Sequence, residues 1–155
     1  GDLGVSGKSL ASSTISQEIS GNEALRFDLN GTADRVTLDL SRFFQDDDAN
    51  TLNFNEAGRL QALNAQGEIV AETSFFADSA SGFKQVTLDH AGGFNALVLS
   101  SGAYDGSQFV FGAYANDAGE FAQGPYTDTK VHGSDFLVDS IDLQMIEIVG
   151  VNQIP

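Results

Sequence analysis

Apolar and polar side chains alternate with period two in several short runs of this chain. Leu25, Phe27 and Leu29 alternate with Arg26 and Asp28; Val36, Leu38 and Leu40 alternate with Arg35, Thr37 and Asp39; Val86 and Leu88 alternate with Gln85, Thr87 and Asp89. This is the pattern of strands with one face in a core and the other in water, and it predicts strands over 24–29, 35–40 and 84–89. The runs 94–99 and 108–114 are more continuously apolar, as expected of strands central to a sandwich. A last strand starts at Asp135-Phe136-Leu137-Val138-Asp139-Ser140-Ile141-Asp142-Leu143 and runs on to Val149. Asn64-Ala65-Gln66-Gly67 predicts a tight hairpin between strands 59–63 and 68–73. No segment sustains a 3.6-residue period with caps. The expected fold is all-β: an antiparallel, jelly-roll-like β-sandwich of about ten strands.

Strand direction places the loops. Alternating strands would gather the connections 41–50, 64–67 and 90–93 and the long loop 115–134 at one end, with 100–107 at the other. Most of the twelve phenylalanines fall on strand positions, among them Phe27, Phe83, Phe94, Phe109, Phe111 and Phe136, and are expected to pack in the core. In the pairs Phe43-Phe44 and Phe75-Phe76 one member should face out or cap the core edge. Met145 reads as core or strand filler, and His90 and His132 as structural residues.

The chain has 155 residues, the size of one domain, so 1–155 reads as a single ligand-binding unit. Residues 1–13, small and polar, read as a lead-in from a preceding domain of a longer, monomeric chain. With no cysteine, disulfides and thiolate metal sites are unavailable, and bound cations become a candidate stabiliser. No run is apolar enough for a membrane-spanning helix. The net charge of −15, from 22 acids against 7 bases, argues against nucleic acid, whose phosphates demand Lys and Arg. Asp outnumbers Glu, 15 to 7, and Asp is the acid of turns and a common short calcium ligand.

Two segments carry the candidate chemistry. Asp46, Asp47 and Asp48 are adjacent, and a divalent cation would relieve their mutual repulsion. A solvated turn is the competing explanation. An EF-hand is excluded, since the run from Asp46 to Ala57 lacks glycine at loop position six and glutamate at twelve. The second segment is the polar, glycine-rich loop 115–134, too long for a mere connection in a compact domain. It carries Asn116, Asp117, Glu120 and Asp128, with Asp135 just beyond, and hard oxygen ligands on a pliable backbone suit Ca2+. The expected metal ligands are Asp46, Asp47, Asp48, Asn116, Asp117, Asp128 and Asp135. Within Gly124-Pro125-Tyr126-Thr127-Asp128, Tyr126 offers rigid contact area, so Tyr126 and Thr127 are expected to touch a ligand. Tyr104 and Asp105 are a further candidate pair, either in the binding groove or simply in a hairpin turn.

Enzyme readings do badly. A thiol nucleophile is impossible, and neither a Gly-x-Ser-x-Gly elbow nor a His-Glu-x-x-His pair occurs. A pair of carboxylates for glycoside hydrolysis has no specificity in so acidic a chain.

Leu3-Gly4-Val5-Ser6-Gly7, Ala24-Leu25-Arg26-Phe27, Ala62-Leu63-Asn64-Ala65-Gln66-Gly67-Glu68, Gly92-Gly93-Phe94 and Gly133-Ser134-Asp135-Phe136-Leu137-Val138-Asp139 follow in an order that resembles the β-sandwich ligand-binding domains of large bacterial RTX adhesins, the peptide-binding domain most of all. The resemblance implies a secreted cell-adhesion module at the bacterial surface and in biofilms. Its partner would be the C-terminus of a peptide or protein on a host or neighbouring cell, held through calcium. The site residues above come from the loops, not from the resemblance. A lectin-like module that binds glycans through Tyr104 and Tyr126 is the alternative. A structural spacer, with ions near Asp2 or Asp142, is a third reading, which the long loop disfavours.

Overall fold

The computed structural model describes residues 19–20, 22–45, 55–115, 120–124 and 133–147. Among them are nine strands and no helix: β1 (Ile19–Ser20), β2 (Ala24–Ser41), β3 (Ala57–Leu63), β4 (Ile69–Phe76), β5 (Phe83–Tyr104), β6 (Phe109–Phe111), β7 (Tyr114–Ala115), β8 (Phe121–Ala122) and β9 (Asp135–Ile146). Seven of them form one sheet in the order β1-β9-β2-β5-β3-β4, with β6 on β5, while β7 pairs β8. Every pairing is antiparallel. The all-β, antiparallel fold expected from the alternation is therefore present.

The architecture rests on two unusually long strands. β2 has 18 residues and β5 has 22, against the 3–10 usual for strands. β2 pairs with residues 83–100 of β5, and the register shifts twice, between Asp28 and Ala33 and between Ala33 and Arg35. Residues looped out at these bulges turn the ribbon over. Gly93 makes the turn possible: its φ is +85°, and a Cβ there would lie 2.5 Å from Thr32 Cγ2. Asn95 fastens the bend by donating from Nδ2 to Gly31 O (3.1 Å) and to Thr32 Oγ1 (2.9 Å).

The bend also flips the side-chain parity of β2. Leu25, Phe27 and Leu29 pack on the core before it, and Val36, Leu38 and Leu40 after it. One half of the ribbon is flanked by β9, the other by β3 and β4, and both halves contribute to one apolar cluster. Phe43, Phe75 and Phe136 join the two sides, with Phe43 lying 5.6 Å from Phe75 and 5.2 Å from Phe136 between ring centroids. Gly58 makes room for them, since a Cβ there would come within 2.6 Å of the Phe75 ring. As expected, each Phe-Phe pair divides: Phe75 is buried and its neighbour Phe76 exposed, while Phe43 is buried and Phe44 half-buried.

Several expectations need correction. The separate strands expected at 24–29 and 35–40, and at 84–89 and 94–99, are halves of single strands, β2 and β5, among the nine of the described residues. Glycine-containing stretches that resemble turns are bulges within a continuous ladder. The run 108–114 is not a central strand. It gives the short β6 at the sheet margin and ends at Gly112, whose φ is +69°. Phe83 (66% exposed) and Phe111 (40%) lie outside the core, while Met145, in the second of its two readings, is a strand residue of β9. The 64–67 hairpin forms as expected, with Asn64 Oδ1 accepting from the N–H groups of Gln66 and Glu68.

The loop placement is also corrected. Pairing of Ala57 with both Phe76 and Gly102 puts the start of β3, the end of β4 and the end of β5 at one end. Ser41 opposite Phe83 and Leu137 adds the end of β2 and the starts of β5 and β9. The 105–108 turn therefore shares this end with the points where 46–54 leaves and rejoins the described chain and where 125–132 rejoins it. The 64–67 hairpin and the 90–93 bend lie at the other end.

Candidate functional site

The loop-bearing end is built around a buried acid. Glu56 is completely buried, directly before β3. Its Oε2 accepts the Phe44 N–H and its Oε1 accepts the Asp135 N–H at 2.7 Å. Its own main chain continues the junction: Glu56 N donates to Phe44 O at 3.3 Å, and Ala77 N donates to Glu56 O at 2.8 Å. Glu56 thus ties four places: its side chain joins the exit of β2 to the entry of β9, and its main chain, at the entry of β3, joins the exits of β2 and β4. Burying a carboxylate is costly unless donors surround it, and charge-assisted bonds from backbone N–H groups are the strong kind.

Ser134 completes the junction. Its hydroxyl accepts the Ala57 N–H at 2.7 Å and donates to Gly102 O. These contacts span 77 and 32 residues of sequence, so the bases of the two acid-rich segments are fixed by long-range bonds. Segment 46–54 leaves after Gln45 and returns at Asn55, next to Glu56. Segment 125–132 returns at Gly133, next to Ser134. No sequence pattern marked Glu56 or Ser134; the one local hint is a lone acid immediately before an apolar alternating run.

Of the expected metal ligands, Asp135 alone is described. It is buried at the start of β9, beside the Glu56 carboxylate that accepts its N–H. Asp46, Asp47, Asp48, Asn116, Asp117 and Asp128 lie outside the described residues, as do Tyr126 and Thr127. The expected calcium can be weighed only against what remains. Among the described residues no group of three or more His, Asp or Glu side chains is placed to hold a cation. Both oxygens of Glu56 already accept backbone N–H groups. A cation site at this end would therefore need ligands from outside the described residues.

Tyr104 and Asp105 have defined places in the turn that joins β5 to β6. Asp105 Oδ1 accepts from Ser107 N and Gln108 N, both at 2.8 Å, and from Ser107 Oγ at 2.9 Å. Those donors, the Gln108 and Ser107 N–H groups first, hold the Asp105 carboxyl below the usual carboxylate range. Asp105 therefore organises the turn. The Tyr104 hydroxyl donates to Ser107 O at 2.8 Å, which leaves the ring as its available surface. That ring is 45% exposed and lies 5.8 Å from the Phe76 ring.

No protein-family model matches this chain, no curated protein matches it, and no solved structure matches it.

Proposed function

We propose that this chain is a non-catalytic, calcium-dependent binding module that serves cell adhesion by capturing the C-terminal end of a partner's peptide chain. The observation that carries the reading is the Glu56 junction, which gathers the bases of both acid-rich segments at one end of the fold. A rigid base with oxygen-rich loops above it is how binding modules separate scaffold from recognition. The Asp46–Asp48 run and the acids of 115–135 supply the hard ligands that calcium takes, and an ion with an incomplete shell accepts one further oxygen from outside. A peptide carboxylate is such an oxygen. The net charge of −15 would otherwise repel that carboxylate, so binding should vanish when the ion is removed. The resemblance to RTX adhesin domains points to the same function and to the bacterial cell surface.

The test is an array of free-acid peptides, the same peptides amidated, and glycans, probed in millimolar calcium and again with chelator. Chelator-sensitive binding of free acids over amides is expected. Equal binding of acids and amides would remove the carboxylate from the account, and glycan binding alone would move the module to the lectin class.

A further inference from the structure

The bend that turns the β2–β5 ribbon over holds the dipeptide Asn30-Gly31. Register joins Asp28 to Ala96 and then Ala33 to Phe94, and the pairing of β2 with β9 begins at Thr32 with Ile146. Leu29, Asn30 and Gly31 therefore have no partner in either ladder, while the residues on both sides of them do. A laddered, extended strand keeps each peptide nitrogen engaged and turned away from the preceding side chain. The looped-out stretch lifts that restraint. Asn30 is exposed, and its side chain makes no hydrogen bond among the described residues. Gly31 is exposed as well, with φ at +135°, and has no Cβ to obstruct an approach to its nitrogen. The bond that fastens the bend, from Asn95 Nδ2 to Gly31 O, lies on the following peptide group and does not restrain the one that joins Asn30 to Gly31.

Comparable residues nearby are protected. Asn64 Oδ1 accepts from Gln66 N and Glu68 N, and its Nδ2 donates to Glu68 Oε1. Asn95 Nδ2 is held by Gly31 O and Thr32 Oγ1. Each of these two is followed by alanine, whose methyl group crowds the nitrogen that would have to move. Asp105-Gly106 offers the glycine, but Asp105 Oδ1 accepts two N–H groups and the Ser107 hydroxyl. Those donors favour the ionised carboxylate, which a nitrogen attacks poorly.

We propose that Asn30-Gly31 is a site of spontaneous self-modification, at which the asparagine becomes an aspartyl or isoaspartyl residue and the bend is altered. The Gly31 nitrogen gives up its proton and bonds to Asn30 Cγ. The Cγ–Nδ2 bond breaks, and the side-chain nitrogen leaves as ammonia. Water then opens the cyclic succinimide. Cleavage between Cγ and the ring nitrogen leaves an ordinary aspartyl residue. Cleavage at the main-chain carbonyl leaves an isoaspartyl link that runs through Cβ and Cγ. The sum is amide and water going to acid and ammonia, with no oxidant or reductant. Either product adds negative charge near the exposed Asp28. The isoaspartyl link also lengthens the main chain by a methylene just before Gly31, whose carbonyl Asn95 holds. Because 29–31 lie outside both ladders, the bulge takes up the extra length and the paired segments keep their register.

The experiment ages the whole chain, folded in mildly alkaline buffer, beside the same chain unfolded in urea. Peptide mapping by mass spectrometry and labelling with an isoaspartyl methyltransferase read the result. The folded chain should gain the mass of an amide-to-acid exchange at Asn30 and take the isoaspartyl label there, while peptides holding Asn64, Asn95 and Asp105 stay unchanged. Asn30→Gln, confirmed as folded by its spectrum, should lose both signals. In the aged protein the NMR amides of Gly31, Thr32, Gly93 and Asn95 should shift, with those of Phe44, Glu56 and Ser134 unmoved. Protection of Asn30 in the folded chain while the unfolded chain converts would overturn the inference, as would conversion of Asn64 or Asn95 as fast as Asn30. Conversion with an unmoved bend would overturn the effect assigned to it. None of these readouts involves calcium or a ligand, so they stand apart from the peptide array.

Discussion

The two ends of the molecule are closed by different means. At the bend end the chain closes itself, through the fold of the β2–β5 ribbon at Gly31 and Gly93, the Asn95 side chain on Gly31 and Thr32, and the local Asn64 hairpin. At the loop-bearing end closure comes from buried polar side chains, Glu56 and Ser134, which bond strands far apart in sequence. Continuous backbone and local side-chain bonds close one end. The other end remains open in topology and is held by a few specific donors and acceptors. That second arrangement sets the exit and return of 46–54 beside the return of 125–132, and the proposed function rests on that end.

Glu56→Ala breaks the comparison most severely. It strands the N–H groups of Phe44 and Asp135 in a buried site, for an expected loss of about 3 kcal/mol in urea unfolding. Glu56→Gln recovers only part, because the amide can accept on one side and must offer a donor on the other. A loss below about 0.5 kcal/mol for Glu56→Ala would mean that the junction is not held by this side chain. Gly93→Ala probes the opposite end. The positive φ and the contact with Thr32 should cost about 2 kcal/mol while leaving ligand binding at the loop-bearing end unchanged. Lost binding in a folded Gly93→Ala protein would show that the two ends are not separable.

The smallest effect concerns the 105–108 turn. The Asp105 carboxyl is held below its ordinary range by the N–H groups of Gln108 and Ser107, so its folded value lies below its unfolded one. The stabilisation it gives is therefore present above the unfolded value, about pH 4, and is lost as pH falls through the folded value. The amide resonances of Ser107 and Gln108 should move only in that acidic window. Movement nearer neutrality would detach the turn from Asp105.

These contrasts also explain what could be read from the chain. Alternation at Leu25-Phe27-Leu29 and Val36-Leu38-Leu40 is a local signal and identified strands correctly, as did the Asn64–Gly67 turn chemistry. The continuity of β2 and β5 was hidden because Gly31 and Gly92-Gly93 look the same in a turn and in a bulge. The mistaken ends for the 64–67, 90–93 and 105–108 connections followed from local counting, whereas the actual ends are set by long-range pairs such as Ala57 with Gly102. Phe83 and Phe111 carry apolar side chains on the outward parity of their strands, which composition does not reveal. Glu56 was invisible for a related reason: its burial exists only after distant strands meet. Asp46, Asp47, Asp48, Asn116, Asp117, Tyr126, Thr127 and Asp128 lie outside the described residues, so the structure bears on them only through their anchors.

Calcium added to chelator-treated protein, followed amide by amide by NMR, tests the central assignment most directly. The account predicts saturable shifts concentrated at Phe44, Glu56, Ser134 and Asp135, with Gly31, Gly93 and the Asn64 hairpin unmoved. Shifts centred on the bend end, or none at millimolar calcium, would contradict it.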